Sequence, residues 1–143
     1  MEVSGSYTFA ATPDAVWAML TDPDVIAGCL PGCNGLEPLG DDRYRAAMTL
    51  ALAAVSGNFS GTVSMLDKRP PQSYRLVVDG SGKTGFVRGD ATVTLTADGA
   101  GTIVSVAGRG DVGGLLARVG QRLLGSASKM MMDRFFVCLQ ARL

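Results

Sequence analysis

The chain has 143 residues, with Lys plus Arg at 13 and Asp plus Glu at 13, so no net charge draws it to nucleic acid or to an anionic membrane. Apolar residues make up 47% and charged ones 18%. That is more apolar material than folding alone needs, and it favours an internal cavity or a buried partner surface. His is absent, which removes Ser–His and Cys–His nucleophile pairs, imidazole acid–base chemistry and His metal ligands.

This length suits a single domain over 1–143 with a real core. No stretch approaches the roughly 20 apolar residues of a membrane span. The start, Met1 to Gly5, has neither a basic nor an apolar leader region, so no signal peptide is expected. The odd set Cys29, Cys33 and Cys138, without a secretion signal, predicts free thiols in a reducing cytoplasm.

Along the chain, Val3, Gly5, Tyr7 and Phe9 alternate with Ser4, Ser6 and Thr8, which predicts a first strand. Thr12 is an N-cap and Pro13 sits at the first helical position, opening a short helix through Leu20. A second short helix starts after Asp22–Pro23 and ends near Gly28, and Leu30 to Cys33 forms a turn. Strands are then predicted over 34–39, 42–54, 57–69, 72–81, 85–97 and 101–110. In five of them apolar residues recur at alternate positions, for example Tyr44, Met48, Leu50 and Leu52, then Tyr74, Leu76 and Val78. The intervening turns include Gly40–Asp42, Ser56–Gly57, Arg69–Pro71 and Asp98–Gly101. Phe86 is out of phase with Val93 and Leu95, which predicts a bulge near Gly89.

From Gly113 to Leu143 the apolar spacing changes to three and four, the mark of a helix of about 28 residues and roughly 42 Å. Leu116, Gly120, Leu123, Ala127, Met131 and Phe135 share one face. The small Gly120 and Ala127 there either allow close packing or leave room for a ligand. The architecture expected is α+β: seven antiparallel strands closed over by one long C-terminal helix, with two short helices after the first strand.

Motifs of chemical interest fail on context. Gly80 to Gly85 looks like a phosphate loop, but Val77 stands where a Gly is needed and a strand follows. Gly108 to Gly113 looks like a dinucleotide turn, but no second strand or acidic residue follows it. Cys29 and Cys33, four apart, lack the further ligands of a zinc site. Arg43, Arg45, Arg75, Asp79, Arg88 and Asp90 fall out of phase and should face solvent. Tyr7, Tyr44 and Tyr74 are in phase with the core. No catalytic residue, metal or cofactor is expected.

Several signatures resemble the G-subunit family of aerobic carbon monoxide dehydrogenase, within the START-like (SRPBCC) superfamily. They are Gly5, Tyr7 and Phe9; Pro13 with Val16–Trp17; Leu20 with Asp22–Pro23; Leu30–Pro31–Gly32–Cys33; Pro70–Pro71 with Tyr74; Gly85–Phe86; and Val112–Gly113–Gly114 leading to Phe135–Phe136. The resemblance implies the helix-grip order of that superfamily. It also implies a non-catalytic accessory protein, encoded beside molybdenum hydroxylases and carrying a hydrophobic small molecule such as a quinone. Some members have a membrane-associating tail; this chain stops at Leu143, so only peripheral contact with the inner face of the membrane is expected of a cytoplasmic protein.

On this basis Met48, Leu50, Phe59, Val63, Leu76, Val93, Val104 and Val106 should line a pocket from the sheet. Leu116, Gly120, Leu123, Ala127 and Met131 should face them from the helix, Trp17 and Leu20 should close one end, and Leu30–Pro31 should form a mouth. Two alternatives are a polyketide-cyclase-like enzyme, which needs an acid or base in the cavity, and a ligand-free assembly factor or homodimer built on an exposed apolar patch.

Overall fold

The computed structural model describes residues 1–52 and 55–143. Strand β1 (Glu2–Phe9) is followed by helices α1 (Pro13–Leu20) and α2 (Pro23–Cys29). Strands β2 (Cys33–Gly40), β3 (Arg43–Leu52), β4 (Val55–Arg69), β5 (Ser73–Gly82), β6 (Gly85–Asp98) and β7 (Gly101–Gly113) come next. A 3₁₀ segment, Gly114–Val119, then leads into α3, Gln121–Ala141. The strands form one antiparallel sheet in the order β1-β7-β6-β5-β4-β3-β2. This is the seven-stranded helix-grip arrangement expected, with both short helices in place.

Local chemistry accounts for the element ends. The Thr12 hydroxyl accepts the Ala15 amide at 3.3 Å and the Asp22 carboxylate accepts the Asp24 amide at 2.9 Å, so each short helix carries a side-chain cap ahead of a Pro. Asp41 and Asp42 both take positive φ, which gives the β2–β3 hairpin the twist its strands need. On the outer face, Arg75 Nε donates to Asp90 at 2.8 Å from the adjacent strand, and the predicted outward charges are exposed.

Three expectations are corrected. First, no bulge occurs at Gly89: β6 pairs without a slip to β5 and β7, with Gly89 opposite Val78 and Gly110. Phe86 points outward instead, under the Arg88 guanidinium, and so stays in regular alternation. Second, Ser56 and Gly57 lie inside β4 rather than in a turn; the last two positions of the predicted strand 42–54 fall outside the described residues.

Third, the C-terminal helix is not continuous. Gly120 has φ 92°, a conformation costly for any residue with a Cβ, and it separates the 3₁₀ segment from a 21-residue α3 of about 31 Å. This break resets the helical phase. Leu124, Ala127, Phe136 and Leu139 are buried, while Leu123 is 49% exposed.

The cysteines also differ from expectation. Cys29 and Cys138 form a disulfide with Cα atoms 5.4 Å apart, tying the end of α2 to the last turn of α3; only Cys33 is free. An odd count is consistent with one bridge and one thiol, so parity could not decide between that and free thiols throughout.

The core forms two clusters. One gathers α1, α2, the end of β1 and the last turns of α3 around Phe9, Val16, Leu20, Met65, Tyr74, Val104, Phe136 and Leu139. The other joins Leu52, Val55 and Phe59 to Leu116, Leu124 and Ala127 at the far end. The disulfide closes a long loop within the first cluster. Replacing Cys29 and Cys138 together with Ser is expected to cost about 2–5 kcal/mol. Denaturant unfolding of the double variant under non-reducing conditions measures this; unchanged stability would show that the bridge does not constrain the chain.

Candidate functional site

The inward face of the sheet is defined by alternation. From β3 come Ala46, Met48, Leu50 and Leu52; from β4, Phe59, Gly61, Val63 and Met65; from β5, Tyr74, Leu76, Val78 and Gly80. From β6 come Val87, Gly89, Ala91, Val93 and Leu95, and from β7, Thr102, Val104, Val106, Gly108 and Gly110. Neighbouring strands put the glycines side by side: Gly61 faces Gly80, Gly89 faces Gly110, and Gly108 faces Ala91.

These glycines do two different jobs. A Cβ at Gly61 would run into the Asp79 carbonyl, and one at Gly108 into the Asp90 carbonyl, so there the sheet bends too tightly for a side chain. Gly80 and Gly89 are different. A Cβ at Gly80 would meet only the Ser60 carbonyl oxygen at 3.7 Å, and one at Gly89 only the Val78 Cβ at 3.9 Å. Among the described residues, no atom of α3 lies within 4 Å of either position.

The apolar side chains beside this strip tell the same story. Met48, Leu50, Val63, Leu76, Val78 and Val87 all point inward, yet each is only half-buried, as is Met131 opposite them on α3. Between the two packed clusters the sheet floor is therefore made of backbone and half-buried side chains, with room for a Cβ at Gly80 and Gly89. An apolar molecule there would exchange water for hydrocarbon contact at roughly 25 cal/mol per Å².

The predicted lining residues divide as follows. Trp17, Leu20, Leu76, Val93, Val104 and Val106 belong to the first cluster; Met48, Leu50, Phe59, Leu116, Ala127 and Met131 belong to the second. Val63 lies on the strip between, paired to Val78 and Tyr44. Leu30 and Pro31 are half-buried in the turn after α2. Gly120 and Leu123 do not join them: both are exposed, turned away by the phase break at Gly120. Val78, Val87, Gly80 and Gly89 lie on this inward face without having been expected as lining residues. The period-2 pattern carries all four in phase, but glycine gives no hydrophobic signal.

Two tyrosines have perturbed hydroxyls. Tyr74 is buried against the Trp17 edge, and burial pushes its pKa well above the ordinary value. Tyr7 stacks on Phe136 with ring centroids 4.1 Å apart and donates to Asp133 Oδ1 at 2.7 Å. Its pKa is raised by burial first, then by the hydrogen bond to Asp133 and that carboxylate's charge. Lys129 Nζ donates to the same oxygen at 2.7 Å and, with Tyr7, holds the Asp133 carboxyl below its usual range. Both phenols are thus neutral donors across the physiological range.

On the opposite side of α3, an open surface groove of about 840 Å³ runs between Met1–Glu2 and Arg122, Lys129, Met130 and Arg134. Its rim is polar and it does not communicate with the predicted lining residues. Among the described residues, no group of His, Cys, Asp and Glu could hold a metal ion.

The family model for the G subunit of carbon monoxide dehydrogenase (CoxG) matches residues 5–143. The chain belongs to this family. Among solved structures, this CoxG-family chain is similar to a conserved protein from Geobacillus kaustophilus at 34% identity and TM-score 0.96, covering 99% of this chain and 94% of that one. It shares its fold with a START superfamily protein from Mycobacterium smegmatis (12% identity, TM-score 0.79, 99% and 95% covered). A Rhodobacter sphaeroides protein is similar at 21% identity and TM-score 0.69, with 99% and 90% covered. No curated protein sequence matches the chain. No described helix is long and apolar enough to cross a membrane.

The raised tyrosine pKa values make a stability prediction. A group whose pKa is higher in the folded state favours folding below its unfolded pKa, about 10 for Tyr, and the benefit is lost as pH rises beyond it. Stability should therefore fall at alkaline pH. Tyr74→Phe keeps the packing and should flatten that fall, which denaturant midpoints on either side of the tyrosine range would reveal.

Proposed function

We propose that this CoxG-family protein is a non-catalytic accessory that carries a hydrophobic ligand of the quinone class in the space between sheet and α3, in support of a molybdenum hydroxylase of the aerobic carbon monoxide dehydrogenase type. The observation that carries the ligand-binding part is the unfilled strip over Gly80 and Gly89, bordered by inward yet half-buried Met48, Leu50, Val63, Leu76, Val78 and Val87. Family membership supports the link to the hydroxylase. A flat apolar ring with a hydrocarbon tail suits such a lining, because aliphatic walls take both.

The lining argues against the cyclase alternative. Among the described residues its side chains are aliphatic or absent, with no acid or base to act on a bound substrate. The docking alternative has one specific observation behind it: Leu123, Met130 and Val137 stand exposed seven residues apart on the outer face of α3. That face is separate from the cavity, so carrying and docking are compatible.

The test fills the floor. Gly89 sits in ordinary strand conformation with space above it, so Gly89→Leu is expected to fold and to keep the melting temperature. It should weaken uptake of a soluble short-tailed quinone, read by quenching of Trp17 fluorescence or by native mass spectrometry, tenfold or more, equivalent to about 1.4 kcal/mol. Unchanged uptake by folded Gly89→Leu would refute the site; no uptake by the wild type would refute the carrier and leave docking.

A further inference from the structure

We propose that the open edge of β1, with the groove between it and α3, is a docking site for an extended acidic segment of a partner protein, which pairs with β1 and adds a strand to the sheet. The proposal rests on neither the cavity nor its ligand. β1 and β2 are the two edges of the sheet. An open edge invites pairing with another chain, and proteins blunt such edges with proline, bulges and irregular pairing. β2 is blunted in this way: Pro38 lacks a donor, and the register slips between Cys33 and Gly35 and again between Pro38 and Gly40. β1 carries neither device. It holds no proline and pairs with β7 without a slip, from Glu2 opposite Arg109 to Phe9 opposite Thr102.

The phase of that pairing fixes which backbone groups the edge presents. Met1 N donates to the Gly110 carbonyl at 3.0 Å, and the Gly110 amide donates back to the Met1 carbonyl at 2.8 Å. Alternation then turns the amides and carbonyls of Val3, Gly5, Tyr7 and Phe9 towards β7, and those of Glu2, Ser4, Ser6 and Thr8 away from the sheet. The Thr8 carbonyl agrees with this phase and is taken, because Gln140 Nε2 of α3 donates to it at 2.8 Å. Among the described residues, no strand or side chain takes the edge groups of Glu2, Ser4 and Ser6. α3 meets β1 where Tyr7 donates to Asp133 at 2.7 Å. Towards Glu2 the two elements part, and the groove of about 840 Å³ lies between Met1–Glu2 and Arg122, Lys129 and Arg134.

The groove selects the charge of the segment. Lys129 is engaged by Asp133 at 2.7 Å, whereas Arg122 and Arg134 have no carboxylate partner among the described residues. Along α3 these two arginines are about 18 Å apart at 1.5 Å per residue. That is close to the length of a strand of about six residues. Glu2 stands in the outward phase of β1, with its side chain on the opposite face of the sheet from α3. A segment paired with β1 places every second side chain over α3, so carboxylates at those positions meet Arg122 and Arg134. A second copy of this chain fits less well: pairing β1 with β1 brings two copies of the same arginine-bearing helix face side by side, like charge against like.

The probe is a short fluorescein-labelled peptide alternating Glu with Val and Thr, set against the same peptide with Lys in place of Glu. Anisotropy titrations at low salt should show the Glu peptide binding about tenfold more tightly or better. At saturation it should slow amide exchange at Ser4 and Ser6, whose N–H groups face the edge. Arg122→Glu with Arg134→Glu should weaken binding by about tenfold or more while the thermal midpoint holds. Ser4→Pro removes an edge donor that the pairing with β7 does not use, and it should weaken binding likewise. Equal affinity for the two peptides, no binding, or binding that leaves the Ser4 and Ser6 amides unprotected would overturn the proposal. So would concentration-dependent dimerisation abolished by Ser4→Pro, because the edge then takes a second copy of the chain.

Discussion

One helix has to cover the inward face of seven strands, and most of this structure follows from that mismatch. Seven strands at about 4.8 Å spacing are nearly 29 Å across, while an α-helix with its side chains is about 10–12 Å wide. The sheet must curl around α3, and curling crowds neighbouring strands where the bend is sharpest. Gly61 and Gly108 sit at such points, where any Cβ would strike the next strand's backbone. The fold pays for its bend with missing side chains on the concave face.

Extra cover comes at the two ends. Near the end of β1, α1 and α2 add Val16, Leu20 and Ile26 to the helix's own Phe136 and Leu139, and all five are buried. At the other end the 3₁₀ segment adds Leu116, packed with Leu124, Ala127, Phe59 and Leu52. Among the described residues, no comparable buried cluster covers the middle. There the floor is lowered by Gly80 and Gly89, and the helix presents Ala127, Ser128 and Met131, which reach little of it. The split core and the unfilled strip are therefore two results of the same geometry.

The same geometry decides which parts are legible in the sequence. Strand phase is readable wherever bulky residues alternate, so Met48, Leu50, Phe59, Val93, Val104 and Val106 all fall on the inward face as expected. It misleads at Phe86, where an outward aromatic under Arg88 mimics a slipped register. The centre of the site is silent because glycine carries no hydropathy signal; only its position in phase, two residues from Val87 and from Ala91, marks Gly89 as floor. The helix phase fails for a different reason. Spacing counted through Gly120 assumes a continuous helix, and the positive φ at that residue breaks the count, so Leu123 exchanges places with Leu124. The disulfide is invisible because sequence separation says nothing about spatial approach; α2 and the end of α3 meet only through the tertiary fold.

Net charge is the other misleading average. From Gly114 to Leu143 the chain carries Arg118, Arg122, Lys129, Arg134 and Arg142 against Asp133 alone, five positive charges and one negative, for +4; the first 113 residues balance this at −4. Asp133 is already occupied by Lys129 and Tyr7. Arg122 and Arg134 line one groove with the exposed Met130, whereas several of the sheet's outer charges are paired across strands, as in Arg75 with Asp90 and Arg88 with Asp79. A net charge of zero therefore excludes electrostatic attraction only at long range, where the whole molecule acts as one charge. Within a Debye length of about 8 Å, a partner approaching α3 meets a basic surface with an apolar ridge. The inner face of this helix bounds the candidate cavity and its outer face carries the charge, so one element can serve a ligand and a partner through side chains that do not compete.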